Sequence, residues 1–509
     1  MAKRRTARIG TGALEGIDGI AVTAEVDISR GLPGFHLVGL PNAEVRESKE
    51  RVLSALRNSG HKIPLGKITI NLAPAGVRKT GAAADLAMAV GILAAGGGMR
   101  LGPSARTGAA FLGELSLFGE VRGVRGLLAM VIGAAKAGYA VAVVPSGQVA
   151  EAGLVPGLKV VGVRNLRQAI AWWEGDDIPQ PVVQAATMRN QEPKRSHWLW
   201  PDLQGQPLVR KAAVLAASGG HHMLMVGPPG CGKTRLARSL SELGPPLSLT
   251  RALEVMRIHS AAGSSIGGFV PVQRPFRAPH HTITRAGLVG GGSHLRPGEV
   301  TLAHEGVLFL DELSEFSPAV LDGLREPLAD CQMSMVRGTG SRVYPARFQL
   351  LAAMNPCRCG FLGSALRQCR CTAGELNRYR SRLSGPLLDR IEMFVEVGPW
   401  QGDFLQQQGA ELGIVSDREG GWRDCPTTDD VARAHETLKG RTQQGAFEKL
   451  SPASKKYLDE VRVPLGLSLR GVDRCVAVAE TVAALDGTET ISPSQVRDAI
   501  EFRRETVMI

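Results

Sequence analysis

The residues with the clearest chemistry form a glycine-rich loop near the middle of the chain. The loop lies between an apolar strand-like run, residues 223–226, and a helix-like run, residues 235–243. Glycines let backbone N–H groups close on phosphate oxygens, and the first turn of a following helix adds a favourable dipole. A lysine in this pattern neutralises the terminal phosphates, and a threonine hydroxyl ligates Mg²⁺. A chance glycine-rich turn is the alternative. We predict a nucleotide site formed by Gly227, Pro228, Pro229, Gly230, Cys231, Gly232, Lys233 and Thr234.

Two adjacent acids follow a second apolar run. Residues 307–310 read Val-Leu-Phe-Leu, and Asp311 and Glu312 come directly after them. An aspartate in this place orders Mg²⁺, and the glutamate beside it is positioned to polarise an attacking water molecule. A buried strand that merely ends in a solvated acidic turn is the alternative. Because the pair follows a phosphate loop, we predict that the protein hydrolyses the nucleotide that it binds.

Four cysteines lie close together in a segment rich in glycine and arginine: Cys357, Cys359, Cys369 and Cys371. Four thiolates satisfy the ligand count of tetrahedral zinc. The Cys-x-Cys spacing is less usual than Cys-x-x-Cys, so free loop thiols stay open as the alternative. We predict a structural Zn²⁺ site here. The adjacent His280 and His281 are interpreted as loop residues near a subunit or DNA surface rather than as metal ligands.

These residues need a scaffold, and the chain divides by composition into five segments. Residues 1–175 alternate strand-like runs with helix-like runs, and the polar residues 176–200 are typical of a linker. Residues 201–400 repeat a strand–loop–helix pattern, which indicates a parallel α/β sheet. Residues 401–426 again resemble a linker, and residues 427–509 have helical spacing. The predicted fold class is α/β with a helical C-terminal region.

Bulk composition limits the class of protein. A chain of 509 residues is too long for one hydrophobic core. Its 60 Lys and Arg exceed its 48 Asp and Glu, giving a net charge of +12 that makes a polyanionic partner plausible. The most apolar stretches, residues 84–98 and 126–144, carry Asp85 and Lys136 and are interpreted as buried helix and strand. We therefore expect a cytoplasmic protein of bacterial type with no membrane partner, in which the cysteines are free thiols or metal ligands.

Longer strings around these motifs resemble the magnesium-chelatase-like AAA+ ATPases, in particular their ComM (YifB) branch. The strings include Arg-Pro-Phe-Arg-Ala-Pro-His-His-Thr at 274–282, Pro-Gly-Glu-Val-Thr-Leu-Ala-His at 297–304 and Ala-Met-Asn-Pro-Cys at 353–357. The resemblance covers nearly the whole chain. It implies an AAA+ P-loop core at 201–400, with ATP and Mg²⁺ as cofactors and with residues 427–509 as a helical lid.

The resemblance also suggests roles for three further residues. Asn355 ends the strand-like run 348–354 and would help to orient the attacking water, although Asn355-Pro356 alone could mark a turn. Arg390 resembles the arginine finger of AAA+ rings, which reaches the γ-phosphate of a neighbouring subunit. Arg470, at the start of a helix, resembles the sensor-2 arginine. Surface salt bridges are the alternative for both arginines.

AAA+ proteins of this clade carry two inserted hairpins that point into the pore of a hexamer and grip DNA. The first is expected with its tip near residues 290–297. The second is expected at 335–344, where Arg337 and Arg342 would contact phosphates rather than bases. An ordinary solvated hairpin turn is the alternative for the second segment.

The N-terminal region resembles the C-terminal domain of Lon protease, a ribosomal-S5-like α/β fold, most clearly at residues 111–126. Proteolysis there would need a serine nucleophile and a lysine base. In this chain the two positions fall on Ala83 and Met130. We therefore expect a domain that is not a protease and that serves as a scaffold or handles DNA.

Taken as a whole, the resemblance implies a hexameric, ATP-driven DNA motor that promotes branch migration during homologous recombination in natural transformation. Its expected partners are single-stranded and branched DNA, other copies of the chain, and recombination proteins. A magnesium-chelatase-type ATPase subunit, which drives metal insertion or other protein remodelling, is the alternative.

Overall fold

The computed structural model describes most of the chain, namely residues 5–39, 43–75, 79, 81–100, 108–176, 178, 206–264, 273–292, 295–337, 340–363, 367–398, 428–439 and 443–503. The predicted linker at 401–426 lies outside the described residues, as does the linker at 176–200 apart from residues 176 and 178. Within the described part, no helix is both long enough and apolar enough to span a membrane.

The strands and helices follow in chain order. The strands are β1 (Thr6–Glu15), β2 (Asp18–Ser29), β3 (Gly34–Val38), β4 (Lys67–Ala73), β5 (Ala109–Phe111), β6 (Glu114–Leu115), β7 (Val121–Arg122), β8 (Val141–Pro145), β9 (Lys159–Val163), β10 (Met223–Val226), β11 (Phe276–Arg277), β12 (Gly290–Gly291), β13 (Arg296–Pro297), β14 (Val307–Leu310), β15 (Gln332–Arg337), β16 (Gly340–Pro345), β17 (Gln349–Met354) and β18 (Met393–Glu396). The α-helices are α1 (Ala43–Asn58), α2 (Asp85–Gly96), α3 (Leu127–Lys136), α4 (Val149–Ala152), α5 (Leu166–Glu174), α6 (Pro207–Gly219), α7 (Lys233–Leu243), α8 (Leu249–Ala262), α9 (Arg285–Val289), α10 (Glu299–Leu302), α11 (Pro318–Asp322), α12 (Arg325–Asp330), α13 (Ala373–Arg380), α14 (Gly385–Leu388), α15 (Thr428–Thr437), α16 (Gln443–Glu448), α17 (Pro452–Arg462), α18 (Leu469–Asp486) and α19 (Pro493–Ile500).

The described residues form two compact units. The first comprises the described residues up to 178 together with 248–264 and 295–297, and the second comprises 206–247, 273–292 and 298–503. Each unit has its own cluster of buried apolar side chains.

The first unit is built on a seven-stranded mixed sheet in the order β3-β4-β2-β1-β5-β8-β9. Strands β1, β2 and β4 pair antiparallel, whereas β5, β8 and β9 run parallel to one another. Helix α2 packs on β1 and β2 and is almost entirely buried, from Asp85 to Ala95. The Asp85 carboxylate is paired with Arg51, at 2.8 Å, which compensates for its burial. The predicted apolar stretch 84–98 is therefore a core helix.

Helix α8 belongs to the first unit although it follows the phosphate-loop helix in the sequence. It packs against α3. Arg257 donates to the Asp18 carboxylate at 2.6 Å, Ser260 Oγ donates to Glu151 at 2.6 Å, and Arg125 donates to the Ala261 carbonyl at 2.6 Å. No sequence pattern indicated this assignment, because every one of these contacts joins residues more than 100 positions apart.

The second unit is built on a five-stranded parallel sheet in the order β11-β14-β17-β10-β18. Strands β10, β14 and β17 are almost wholly buried, which explains their continuous apolar runs. Their carboxyl ends meet at one edge, so the loops after them lie side by side. The strand between the phosphate-loop strand β10 and the acidic strand β14 is β17, which ends at Met354.

The C-terminal part of the second unit is helical, from α15 to α19. Ser468 caps α18 by accepting from the Gly471 N–H, and Ser492 forms a capping box with Gln495 at the start of α19. The buried faces of these helices join the same core as β10, β17 and β18. The predicted fold class, an α/β core with a parallel sheet and a helical C-terminal region, is confirmed.

Candidate functional site

The phosphate loop runs from the end of β10 into the first residue of α7. Gly230 and Gly232 have φ values of 79° and 89°, in the left-handed region that glycine adopts without strain. The Lys233 ammonium donates to the carbonyls of Gly227 at 2.7 Å and Pro228 at 2.9 Å. It also lies 3.3 Å from Asn355 Oδ1. The loop therefore presents backbone N–H groups, a helix N-terminus and one cation to the same space.

Asp311 and Glu312 follow β14 at the same edge of the sheet. Thr234 Oγ1 donates to Asp311 Oδ2 at 2.7 Å, although the two residues are 77 positions apart. A hydroxyl and a carboxylate side by side are the oxygen ligands that Mg²⁺ takes in such sites. Glu312 has a φ of 53°, unusual for a residue with a side chain, and its carboxylate is more than half exposed. The structure thus brings Lys233, Thr234, Asp311, Glu312 and Asn355 together.

His281 contacts the acidic pair and was not anticipated there. Its Nδ1 lies 3.3 Å from Glu312 Oε2, and the His280 ring packs on it with ring centroids 4.1 Å apart. His281 follows β11, whose neighbour in the sheet is β14, so the order of strands positions this contact. The adjacent histidines were visible in the sequence, but Glu312, the residue that His281 contacts, lies 31 positions later in the chain.

Tyr379 is a second residue that sequence reasoning missed. Its buried hydroxyl donates to the Asn355 carbonyl at 3.1 Å and accepts from Ser314 Oγ at 2.7 Å. Burial raises the pKa of Tyr379, so this phenol stays a hydrogen-bond donor. The Tyr379 hydroxyl therefore links the segment after Glu312 to the backbone of Asn355.

Arg390 and Arg470 lie together, but away from the phosphate loop. Arg390 precedes β18, which runs parallel to β10, so Arg390 is at the amino ends of the strands and the loop is at their carboxyl ends. Burial, then the cations of Arg470, Arg325 and Arg474, lower the pKa of Arg390. Arg390 donates to the carbonyls of Arg325 and Pro386, and Arg474 is paired with Glu392. Among the described residues, no carboxylate forms an ion pair with Arg390 or Arg470.

The four clustered cysteines come together as a group. All four Sγ atoms lie within 4.8 Å of one another, and the closest pairs are 3.3, 3.6 and 3.7 Å apart. These separations are far longer than a disulfide bond of about 2.05 Å. Backbone N–H groups of Arg370 and Phe361 stabilise the thiolate of Cys359 and lower its pKa to about 6. The donor set suits a soft divalent cation.

Strands β15 and β16 form the antiparallel hairpin just before β17. Val336 and Val343 are exposed on one face, whereas Met333, Met335 and Tyr344 are buried. Arg342 is on β16, and its side chain donates to the Ser341 carbonyl. The side chain of Arg337 lies outside the described residues. In the segment of the other expected hairpin, β12 and β13 flank residues 292–295, of which 293–294 are not described.

Comparisons with known proteins agree with this geometry. The family model "Magnesium chelatase, subunit ChlI" matches residues 200–404, "Subunit ChlI of Mg-chelatase" matches 24–148, and "Magnesium chelatase, subunit ChlI C-terminal" matches 429–503. The protein YifB of Salmonella typhimurium is 38% identical over 97% of this chain and 96% of its own length. Competence protein ComM of Haemophilus influenzae is 36% identical over 96% of this chain and 95% of its own length.

The parallel sheet, the phosphate loop and the acidic pair together define the AAA+ class of P-loop ATPases. Within that class, the family is shown by relatives that are more than one third identical to this chain over nearly their full length. The chain belongs to the ComM/YifB family of magnesium-chelatase-like ATPases. ATP and Mg²⁺ are the cofactors that this membership implies.

Proposed function

We propose that the protein is a hexameric cytoplasmic motor that couples ATP hydrolysis to branch migration of DNA during homologous recombination. The observation that carries the proposal is the position of Arg390 and Arg470 at the sheet edge opposite the phosphate loop. Burial and the cations of neighbouring arginines lower the pKa of Arg390 despite the opposing charge of Asp389, so an approaching anion would stabilise its charged form. The γ-phosphate of a nucleotide held by a neighbouring copy would supply that anion, so each reaction centre would be completed between two subunits.

In the proposed site, each residue has one role. Lys233 neutralises the terminal phosphates, and Thr234 and Asp311 hold the Mg²⁺. Glu312 accepts the proton of the attacking water, and Asn355 orients that water. Arg390 of the adjacent copy stabilises the charge that develops on the γ-phosphate, with Arg470 beside it.

DNA as the substrate is supported by charge and by one relative. The chain carries a net charge of +12, and the β15–β16 hairpin exposes Val336 and Val343 on one face, while the half-buried Arg342 lies on the other face, opposite Met335. Contacts from such a hairpin to phosphates and sugars would be indifferent to base sequence. The word "competence" in the name of the Haemophilus influenzae relative supports a role in natural transformation, with recombination proteins as further partners.

The test is a branch-migration assay on three-way and four-way DNA junctions. The Glu312→Gln variant should bind ATP and DNA but leave the junction in place, because it keeps the shape of the site and loses the proton acceptor. Junction movement by Glu312→Gln at the wild-type rate would refute the proposed mechanism.

A second candidate is a chelatase-type motor, favoured by the three matching family models named for the ChlI subunit. Such a motor would drive metal insertion into a porphyrin or remodel another protein. The ATPase rate distinguishes the two candidates. Stimulation by single-stranded DNA supports the DNA motor, whereas stimulation by a porphyrin together with a partner chelatase subunit supports the rival.

For the cysteine cluster we propose zinc as the metal, because a set of four thiolates is typical of closed structural Zn²⁺ sites.

A further inference from the structure

We infer that Cys357, Cys359, Cys369 and Cys371 bind one Zn²⁺ ion that holds Asn355 and the phosphate loop in the geometry needed for ATP hydrolysis. The metal site itself is independent of the DNA role, but the positioning effect rests on the proposed ATPase function. The site is outside the nucleotide pocket, yet two separate paths of contact connect it to that pocket.

The thiol geometry fits a tetrahedral ion. With Zn–S bonds of about 2.3 Å, a regular tetrahedron places sulfur atoms about 3.8 Å apart. The observed separations of 3.6 Å for Cys359–Cys369 and 3.7 Å for Cys357–Cys369 are close to this value, and that of Cys357–Cys359 is 3.3 Å. The Cys371 N–H also donates to Cys369 Sγ, at 3.4 Å, which fixes the position of this sulfur atom within the group.

The first path is short and runs along the chain. Cys357 is two residues after Asn355, and its side chain is fully buried. The turn that follows is closed by the Gly360 N–H, which donates to the Cys357 carbonyl at 2.9 Å. Gly360 has a φ of 84°, and a Cβ atom there would lie 2.7 Å from Pro229 Cδ and 3.9 Å from Asn355 Cγ. The cysteine turn therefore packs directly on the phosphate loop.

The second path passes through helix α13. Cys371 is followed by Thr372, whose side chain forms a capping box with Glu375 and begins the helix. The same helix carries Tyr379, whose hydroxyl donates to the Asn355 carbonyl at 3.1 Å. The segment with the four cysteines thus begins two residues after Asn355, and the helix that follows it is linked back to Asn355 by the Tyr379 hydroxyl.

The segment that carries the four cysteines has little regular structure of its own. Between β17 and α13, the described residues 355–363 and 367–372 contain no helix or strand. Fixing such a loop costs conformational entropy, which grows with each residue ordered. Coordination by four thiolates supplies the compensating free energy, as it does in small zinc domains. Loss of the ion should free Asn355 and Pro229 together.

The experiment uses the full-length protein. Zinc content is measured by mass spectrometry of the metal, and Co²⁺ substitution tests for tetrahedral thiolate coordination by visible absorption. Steady-state ATPase kinetics and the affinity for a fluorescent ATP analogue are measured in the same preparations. The variants are Cys369→Ser, which removes a ligand, Tyr379→Phe, which keeps all four thiols, and Cys331→Ser, an exposed cysteine outside the cluster, as the matched control.

We expect one zinc per chain in the wild type and in Cys331→Ser, with unchanged turnover. Cys369→Ser should lose the zinc and about 10-fold or more in kcat, with a much smaller change in analogue affinity. Tyr379→Phe should keep the zinc and still lower kcat, because it removes the hydrogen bond from Tyr379 to the Asn355 carbonyl and leaves the four thiols in place. If Cys369→Ser does not fold, removal of zinc from the wild type by a chelator, with helix content followed by circular dichroism, gives the same comparison.

Three outcomes would count against the inference or its basis, and each is distinct. A wild type that binds neither zinc nor Co²⁺ overturns the metal site. Zinc-depleted protein that hydrolyses ATP at the wild-type kcat overturns the positioning effect. Zinc-loaded wild type with no ATPase activity, in the presence or absence of DNA, overturns the proposed function and leaves the metal site standing.

Discussion

At the scale of single residues, the contact between His281 and Glu312 constrains the group that we assign to proton transfer. The imidazole Nδ1 is 3.3 Å from the carboxylate, and the backbone of Glu312 is held at a φ of 53°. A carboxylate that is more than half exposed would otherwise sample several rotamers. We therefore expect the contact with His281 to favour the Glu312 rotamer that faces the imidazole.

The first prediction concerns this contact. His281→Ala should lower kcat by about 10- to 100-fold, because a displaced base is poorly aligned with the attacking water. The affinity for ATP should be unchanged, since the phosphate loop is untouched. His281→Gln, which keeps a polar group in the same direction, should retain more activity than the alanine variant. Steady-state kinetics check both, and an alanine variant with the wild-type kcat would exclude a positioning role.

The second prediction concerns pH. His222 Nδ1 accepts from the Leu350 N–H at 3.0 Å, and burial lowers the pKa of His222 despite the opposing charge of Glu392. The unfolded chain, with a pKa of about 6.5, then binds a proton that the folded chain does not. The free energy of unfolding must therefore fall as the pH drops below about 6.5. His222→Asn, whose amide oxygen can accept the same hydrogen bond, should show a smaller fall between pH 7.5 and pH 5.5 in denaturant titrations. Equal pH dependence in the two proteins would contradict this assignment.

At the scale of elements, the β15–β16 hairpin is the part that would contact DNA. It follows α12 and leads directly into β17, the strand that ends beside Asn355. The exposed valines and the buried methionines alternate along the hairpin, as expected for a ribbon with one covered face.

The third prediction tests the hairpin. Arg342→Ala should weaken binding to single-stranded DNA of any sequence and reduce the salt dependence of log Kd by about one phosphate contact. Arg433→Ala, a change at an exposed arginine on α15, serves as the control and should leave both quantities unchanged. Fluorescence anisotropy at several salt concentrations measures them. An unchanged salt slope for Arg342→Ala would remove this residue from the DNA contact.

Part of the site could be predicted from the sequence and part could not. The phosphate loop and the acidic pair could be predicted because phosphate binding demands fixed residue types at short spacing, and the strands before them are continuous apolar runs. The helices α18 and α19 begin at serines whose capping role depends on residues three positions away. In contrast, the contacts of His281 and Tyr379 join loops that only the strand order brings together. Arg277 forms a bidentate pair with Glu299, at 2.6 and 2.7 Å. This pair connects two of the sequence strings that carry the family resemblance, residues 274–282 and 297–304, and the sequence did not indicate it.

At the scale of the whole molecule, the separation of Arg390 from the phosphate loop has a direct test, which is the fourth prediction. Glu312→Gln and Arg390→Ala should each be nearly inactive alone, because one lacks the base and the other lacks the finger. An equal mixture should recover ATPase activity, since random assembly leaves about a quarter of the interfaces with both groups intact. The double variant, mixed with Glu312→Gln, should recover none. Activity in Arg390→Ala alone, or no recovery on mixing, would contradict a site shared between subunits.

The membership of α8 in the first unit has a consequence for any attempt to divide the protein. A fragment that ends near residue 176 would lack the helix that covers α3, and it would lose the partners of Asp18 and Glu151. A fragment that begins near residue 206 would carry α8 with its apolar residues Ala252, Val255, Met256 and Ile258 turned to water. Each half of the polypeptide would lack packing partners that the other half supplies, so a single cut between residues 176 and 206 should yield two aggregation-prone pieces. Co-expression of the two fragments should restore solubility to both.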